Sequence, residues 1–111
     1  MKGDSSVISR VWNCWATPEN ADAFEVLLRS EIFTGIRKCR IAGYRGIQLF
    51  RRSLGGEVEF VTVMWFDSLD AVRAFAGEDH EVTVIPPKAK ALLSRFDECS
   101  RHYEVKADLE A

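Results

Sequence analysis

Cysteine, proline and excess positive charge are all scarce in this 111-residue chain, and each scarcity excludes something. Three cysteines (Cys14, Cys39, Cys99) form no CxxC pair, and an odd number leaves one unpaired under any disulfide scheme. That usage fits a reducing compartment, with thiols serving as small core residues, so a cytoplasmic location is expected. Cys39, in a connector, is the one thiol with a sharper, redox reading. Fifteen Lys and Arg against 17 Asp and Glu give a net charge of −2, so no basic field favours nucleic acid. The pair Arg51-Arg52 reads as the solvated end of a strand. No apolar run approaches the ~20 residues that span a bilayer, so no membrane partner is expected. The opening "MKGDSS" lacks the apolar core of a signal peptide. No Cys, His, Asp and Glu set has metal-ligand spacing, and there is no glycine-rich phosphate loop and no Ser-His-Asp arrangement. Neither a metal nor a cofactor is called for.

What is present suits one domain over residues 1–111, with its core at about 7–105. "VISRVWNCW" (7–15) is β-branched and aromatic and reads as a strand. Thr17 then caps a helix with Pro18 at its first position, and Phe24, Leu27, Leu28 and Ile32 give helical spacing over 18–33. Gly35 is the expected stop, and 34–43 a basic connector. Strands at 44–53 and 57–66 flank Leu54-Gly55-Gly56, a hairpin turn with glycines at positive φ. Asp67 or Ser68 caps a second helix with a buried stripe of Leu69, Val72, Phe75 and Ala76, ended by Gly77. "VIPP" (84–87) breaks the chain before a short helix at 88–95, and 97–105 reads as the last strand.

The order βαββαβ predicts an α+β, ferredoxin-like split sheet, antiparallel, with strands ordered 4-1-3-2. In the third strand Val58, Phe60, Thr62, Met64 and Phe66 share one face, while Val61, Val63 and Trp65 share the other. Two helices cover only one face, and the same face of a second copy is the simplest cover for the other. A homodimer through sheet faces is therefore expected.

The stretches "RVWNCWATPENADAFEVLL", "RGIQLFRR", "WFDSLDAVRAFAGED" and "HYEV" resemble the antibiotic biosynthesis monooxygenase family over about residues 7–105, most closely its functionally unassigned bacterial members. The resemblance implies a dimeric α+β barrel. It also implies binding of a small hydrophobic or aromatic molecule, with cofactor-independent monooxygenation of an aromatic or polyketide-like substrate as the activity. The alternatives are a non-catalytic binding or sensing protein for a planar ligand such as haem, or a haem-degrading enzyme. Haem-degrading members place an asparagine in strand 1, a tryptophan in helix 2 and an axial histidine beyond it. Those positions fall on Trp12, on Ala74 or Phe75, and near Val84, with Asn13 one residue off and His80 displaced by about a turn, which disfavours haem cleavage. Quinone-forming members carry a tryptophan where Trp65 stands, but their asparagine and tyrosine positions are Val61 and Ala71.

Each candidate residue carries a functional and a structural reading. Trp65 is a pocket wall whose indole N–H binds a substrate oxygen, or core and dimer packing. Trp12 and Trp15 lie on opposite faces of strand 1, as substrate contacts or as core aromatics. Phe75 anchors helix 2 and borders the same space. His80 and His102 have ordinary pKa values near neutrality and are the candidate acid–base groups, otherwise a loop residue and an edge residue. Asn13 is a polar residue in an apolar strand and the third catalytic candidate. Arg10 meets a buried carboxylate or an anionic substrate, and the Tyr44 hydroxyl can reach the same space. Either Asn13 and Trp15 or Arg10 and Trp12 face the helices; neighbouring parity favours the Asn13 set. The expectation is a cavity of about 300 Å³ or more touching Trp65 and a polar residue of strand 1.

Overall fold

The computed structural model describes residues 7–83 and 85–109; the polar N-terminus and Val84 lie outside them. Strand β1 (Ile8–Ala16) leads to Thr17, whose hydroxyl accepts from the Asn20 N–H at 3.2 Å to cap helix α1 (Pro18–Leu27). Gly35 does not stop this helix. A π-helical turn at Leu28–Ile32 carries it into α2 (Phe33–Lys38), so the connector is far shorter than expected. The π turn has a geometric consequence. In a regular α-helix, steps of four residues overshoot a full turn by about 40°. The wider i→i+5 turn slows that rotation, so Phe24, Leu28, Ile32 and Ile36 all stay directed at the sheet side.

Strands β2 (Tyr44–Ser53) and β3 (Val58–Phe66) form the hairpin, closed by Leu54 N–H donating to the Glu57 carbonyl at 2.8 Å. Of its two glycines, Gly55 takes the positive φ, 83°. Gly43, before β2, has φ 85°, and a Cβ there would lie 2.6 Å from the Ala71 Cβ, so only glycine lets the chain pass the helix that carries Ala71. Of the two possible caps of α3 (Leu69–Ala76), Ser68 serves, its hydroxyl accepting from Ala71 N–H at 3.1 Å.

The C-terminal third departs from expectation. The helix there is only α4 (Pro87–Lys90), and the last strand is two: β4 (Leu93–Phe96) and β5 (Arg101–Glu104). Both pair antiparallel with β1, on either side of a break at 97–100 that Trp12 fastens by donating its indole N–H to the Asp97 carbonyl at 2.6 Å. The sheet runs β2-β3-β1 with β4 and β5 sharing the far edge, the expected 2-3-1-4 arrangement with its fourth strand divided. The fold is α+β and ferredoxin-like.

Helices cover one sheet face. Ile8, Arg10, Trp12, Cys14 and Ala16 of β1, with Val58, Phe60, Thr62, Met64 and Phe66 of β3, are buried beneath them. The Phe24 and Phe60 rings meet edge to face, 5.0 Å between centroids. Only Cys14 of the three cysteines is a core residue, its thiol pushed up to about 12 by burial; Cys39 and Cys99 are exposed. Among the described residues no helix is long and apolar enough to cross a membrane.

Candidate functional site

Between the sheet and the helices lies a cavity of about 220 Å³. Its floor is Arg10 and Trp12 of β1, Ile47 of β2, and Thr62 and Met64 of β3. The long helix and Phe75 of α3 wall it, and Val82, Thr83, Ile85, Pro86 and Ala89 with Ser100 close one end. The surroundings are overwhelmingly aliphatic and aromatic, which makes the few polar groups informative.

Arg10 is the principal one. It is 6% exposed, and among the described residues no carboxylate pairs with it. Its Nη1 donates to the His80 carbonyl and, at 2.9 Å, to His102 Nε2, while the guanidinium carbon stands 5.7 Å from the Phe75 ring centroid. An arginine only donates, so Nε2 of His102 is the acceptor and its proton sits on Nδ1. The His102 pKa is pushed down to about 4, first by burial and then by the positive charge of Arg10 and by His80, with Glu81 opposing. His102 is thereby a neutral anchor for Arg10. Burial lowers the Arg10 pKa.

Thr62 is the second polar group on the floor. It is 8% exposed, sits directly across from Trp12 in the β1–β3 ladder, and its hydroxyl has no hydrogen-bond partner among the described residues. At the closed end the hydroxyls of Thr83 and Ser100 satisfy each other. Sequence reasoning passed over Thr62, although the signal was present. It is the one polar side chain in the apolar parity of β3, the criterion that singled out Asn13 in β1.

The expected residues divide by face. Arg10, Trp12 and Phe75 line the cavity, and His102 touches it through Arg10. His80 contributes its carbonyl, while its ring stacks edge-on against that of His102 at 5.1 Å. Tyr44 is on the helix side but packs against Phe66 at 5.7 Å, outside the cavity. Trp65, Trp15 and Asn13 are on the opposite face, so the preferred parity is corrected: Arg10 and Trp12 face the helices. Asn13 donates to Glu59 at 3.0 Å and accepts from Arg101 at 2.9 Å. Trp15 lies under the Arg95 guanidinium, 3.9 Å from its ring centroid. Trp65 borders only an open depression with Val7, Arg45 and residues 105–108. The cavity is also smaller than expected.

A haem does not fit here. The porphyrin is larger than this cavity, and neither histidine presents a ring nitrogen to it: His102 Nε2 is occupied by Arg10, and the His80 ring lies outside the lining. The third position, Val84, is outside the described residues. Among those residues no group of three His, Cys, Asp or Glu could hold a metal ion.

No family model and no curated protein matches the sequence. Solved structures do. A candidate antibiotic biosynthesis monooxygenase from Bacillus cereus superposes with a TM-score of 0.67 at 14% identity, over 96% of this chain and 99% of that one. The heme-degrader MhuD of Mycobacterium tuberculosis gives 0.60 at 19%, over 93% and 99%. SnoaB, a cofactor-independent oxygenase from Streptomyces nogalater, gives 0.53 at 20%, over 95% and 96%. The resemblance read in the sequence thus holds for the fold: this chain is built like antibiotic biosynthesis monooxygenase-type proteins.

Proposed function

We propose that this fold serves here as a small-molecule-binding protein of the monooxygenase type, its ligand lying between sheet and helices. The observation that carries the reading is the cavity itself, apolar on most sides, with a buried guanidinium on its floor and a hydroxyl that has no partner among the described residues. A volume of about 220 Å³ lies below the ~300–1,000 Å³ usual for drug-sized ligands, which favours a planar molecule of one or two rings.

In its catalytic form the protein is a cofactor-independent oxygenase, the activity named for SnoaB. The ionised substrate carbon reacts directly with O₂. A ring CH₂ becomes C=O, the second oxygen leaves as water, and the substrate supplies all four electrons. The chain's part is to exclude water, to hold the ring against Trp12 and Phe75, and to fix its orientation through the floor. The competing reading is a non-catalytic binding or sensing protein. It is favoured by one specific feature: no carboxylate or free imidazole lines the cavity among the described residues, so no general base is evident.

The working form in this proposal is a cytosolic homodimer. Support comes from the uncovered sheet face, where Val11, Val61, Val63 and Trp65 are only half-buried and Phe50 is 49% exposed. One experiment separates the two functional readings. Oxygen uptake and calorimetry are run side by side on a panel of one- to three-ring phenols, with chelator present. Uptake with one atom of ¹⁸O in the product supports the oxygenase; binding without uptake supports the sensor; neither binding nor uptake sinks both.

A further inference from the structure

The floor of the cavity holds a positive charge, Arg10, with no carboxylate paired to it among the described residues. Burying an ion without a counter-charge is costly, and among the described residues Arg10 is offset by two neutral acceptors, both met by Nη1. Thr62, 8% exposed as a residue, lines the same floor, and its hydroxyl has no partner among the described residues. The two are diagonal neighbours on one face, since Trp12 faces Thr62 and Arg10 faces Met64 in the ladder. Each is a hydrogen-bond donor to an oxygen. The walls, by contrast, offer ring and alkyl surface.

We propose that the cavity takes an aryl oxyanion, a phenolate of one or two rings, whose charged oxygen is held by the Arg10 guanidinium and the Thr62 hydroxyl. The inference rests on the reading of this cavity as the ligand site and adds the charge state of the ligand. A cation within hydrogen-bond distance favours the ionised phenol, whereas an apolar cavity without one favours the neutral form. The proton lost passes to solvent. His102 holds Nη1 in place by remaining a neutral acceptor, which leaves the other guanidinium nitrogens to face the ligand.

The test uses 4-nitrophenol, whose phenolate absorbs in the visible. Its binding and its ionisation are followed together across pH in the whole protein. The expected result is phenolate binding at least ten-fold tighter than phenol binding, read as a fall of one pH unit or more in the ionisation midpoint of bound 4-nitrophenol. Arg10→Met should abolish or reverse the shift, Arg10→Lys should retain part of it, and Thr62→Val should weaken phenolate binding several-fold. If Arg10→Met fails to fold, the wild-type shift and Thr62→Val still decide. An unchanged or raised midpoint in the wild-type protein, or a shift that survives Arg10→Met, overturns the oxyanion while leaving the cavity a binding site. No binding of either form overturns the ligand-site reading as well.

Discussion

His102 should make this protein weaken in mild acid, and the effect has a definite sign. In the folded chain its pKa is about 4, against an ordinary 6.5. Between those values the unfolded chain binds a proton that the folded chain refuses, so stability rises with pH across this window. It is fully present above about pH 6.5 and is lost as pH falls toward 4. At 1.36 kcal/mol per unit the full loss is about 3 kcal/mol. The imidazole is half-buried, and screening by solvent brings this to the order of 1–2 kcal/mol. The groups around the ring are Arg10, His80 and Glu81, and only Glu81 favours the charged form. Glu57 and Glu59, held below the usual carboxylate range by Arg95 and Arg52, also lose stabilising interactions in acid, so wild type alone is not diagnostic. His102→Gln keeps a neutral acceptor for Arg10 and removes the titration. Urea unfolding from pH 4.5 to 7.5 should show the variant losing less stability than wild type as pH falls, with the two curves parallel above pH 7. Parallel curves throughout, or a wild type that gains stability in acid, would refute the assignment of His102 as a buried neutral anchor.

Sedimentation at micromolar concentration should give about twice 12.6 kDa. Val61→Asp, on the uncovered face, should dissociate the protein or leave it insoluble. Met64→Asp should instead unfold it, because Met64 is buried beneath the helices; a stable monomer in the wild type would remove the dimer. Haem titration should show no tight complex and no reductant-dependent loss of the Soret band, and a saturable one-to-one complex abolished by His80→Ala would reverse that. Phe60→Ala should cost about 3–5 kcal/mol in chemical unfolding, since it empties a fully buried site and breaks the edge-to-face contact with Phe24; a loss under 1 kcal/mol would mean that the pair does not hold the helix.

The framework was legible because its signals are local and agree with one another. Thr17-Pro18 and Ser68 start helices by satisfying N–H groups, and the alternation in β3 is clean enough to assign both of its faces. Two boundaries were not legible. Gly35 looks like a stop, yet the helix continues because Ile36 beyond it, like Phe33 before it, has apolar surface to bury against the sheet. That tertiary gain exceeds the roughly 1 kcal/mol that a mid-helix glycine costs. The segment 88–95 has helical composition, but the free edge of β1 offers Leu93–Phe96 a ladder of hydrogen bonds, and strand pairing overrides propensity.

Strand parity decides the site, and it was the least legible element. β1 carries apolar and polar residues on both faces, so composition does not separate Arg10 with Trp12 from Asn13 with Trp15, and the neighbouring parity that favoured the Asn13 set pointed to the wrong face. A one-residue choice moves every side chain to the other side. β1 and β3 are antiparallel, with Trp12 opposite Thr62 and Ser9 opposite Trp65. Trp65 therefore shares its face with Asn13 and Trp15, and the sheet separates all three from the cavity. Two substitutions make this measurable. Trp12→Phe removes part of the cavity floor and deletes the bond to the Asp97 carbonyl, so it should cost about 1 kcal/mol or more in unfolding and several-fold in 4-nitrophenol affinity. Trp65→Phe should leave that affinity within two-fold and weaken dimerisation instead, because its ring belongs to the uncovered face. If Trp65→Phe weakens the ligand ten-fold while Trp12→Phe does not, the ligand lies on the outer face of the sheet, and the helix-side cavity is only a packing void.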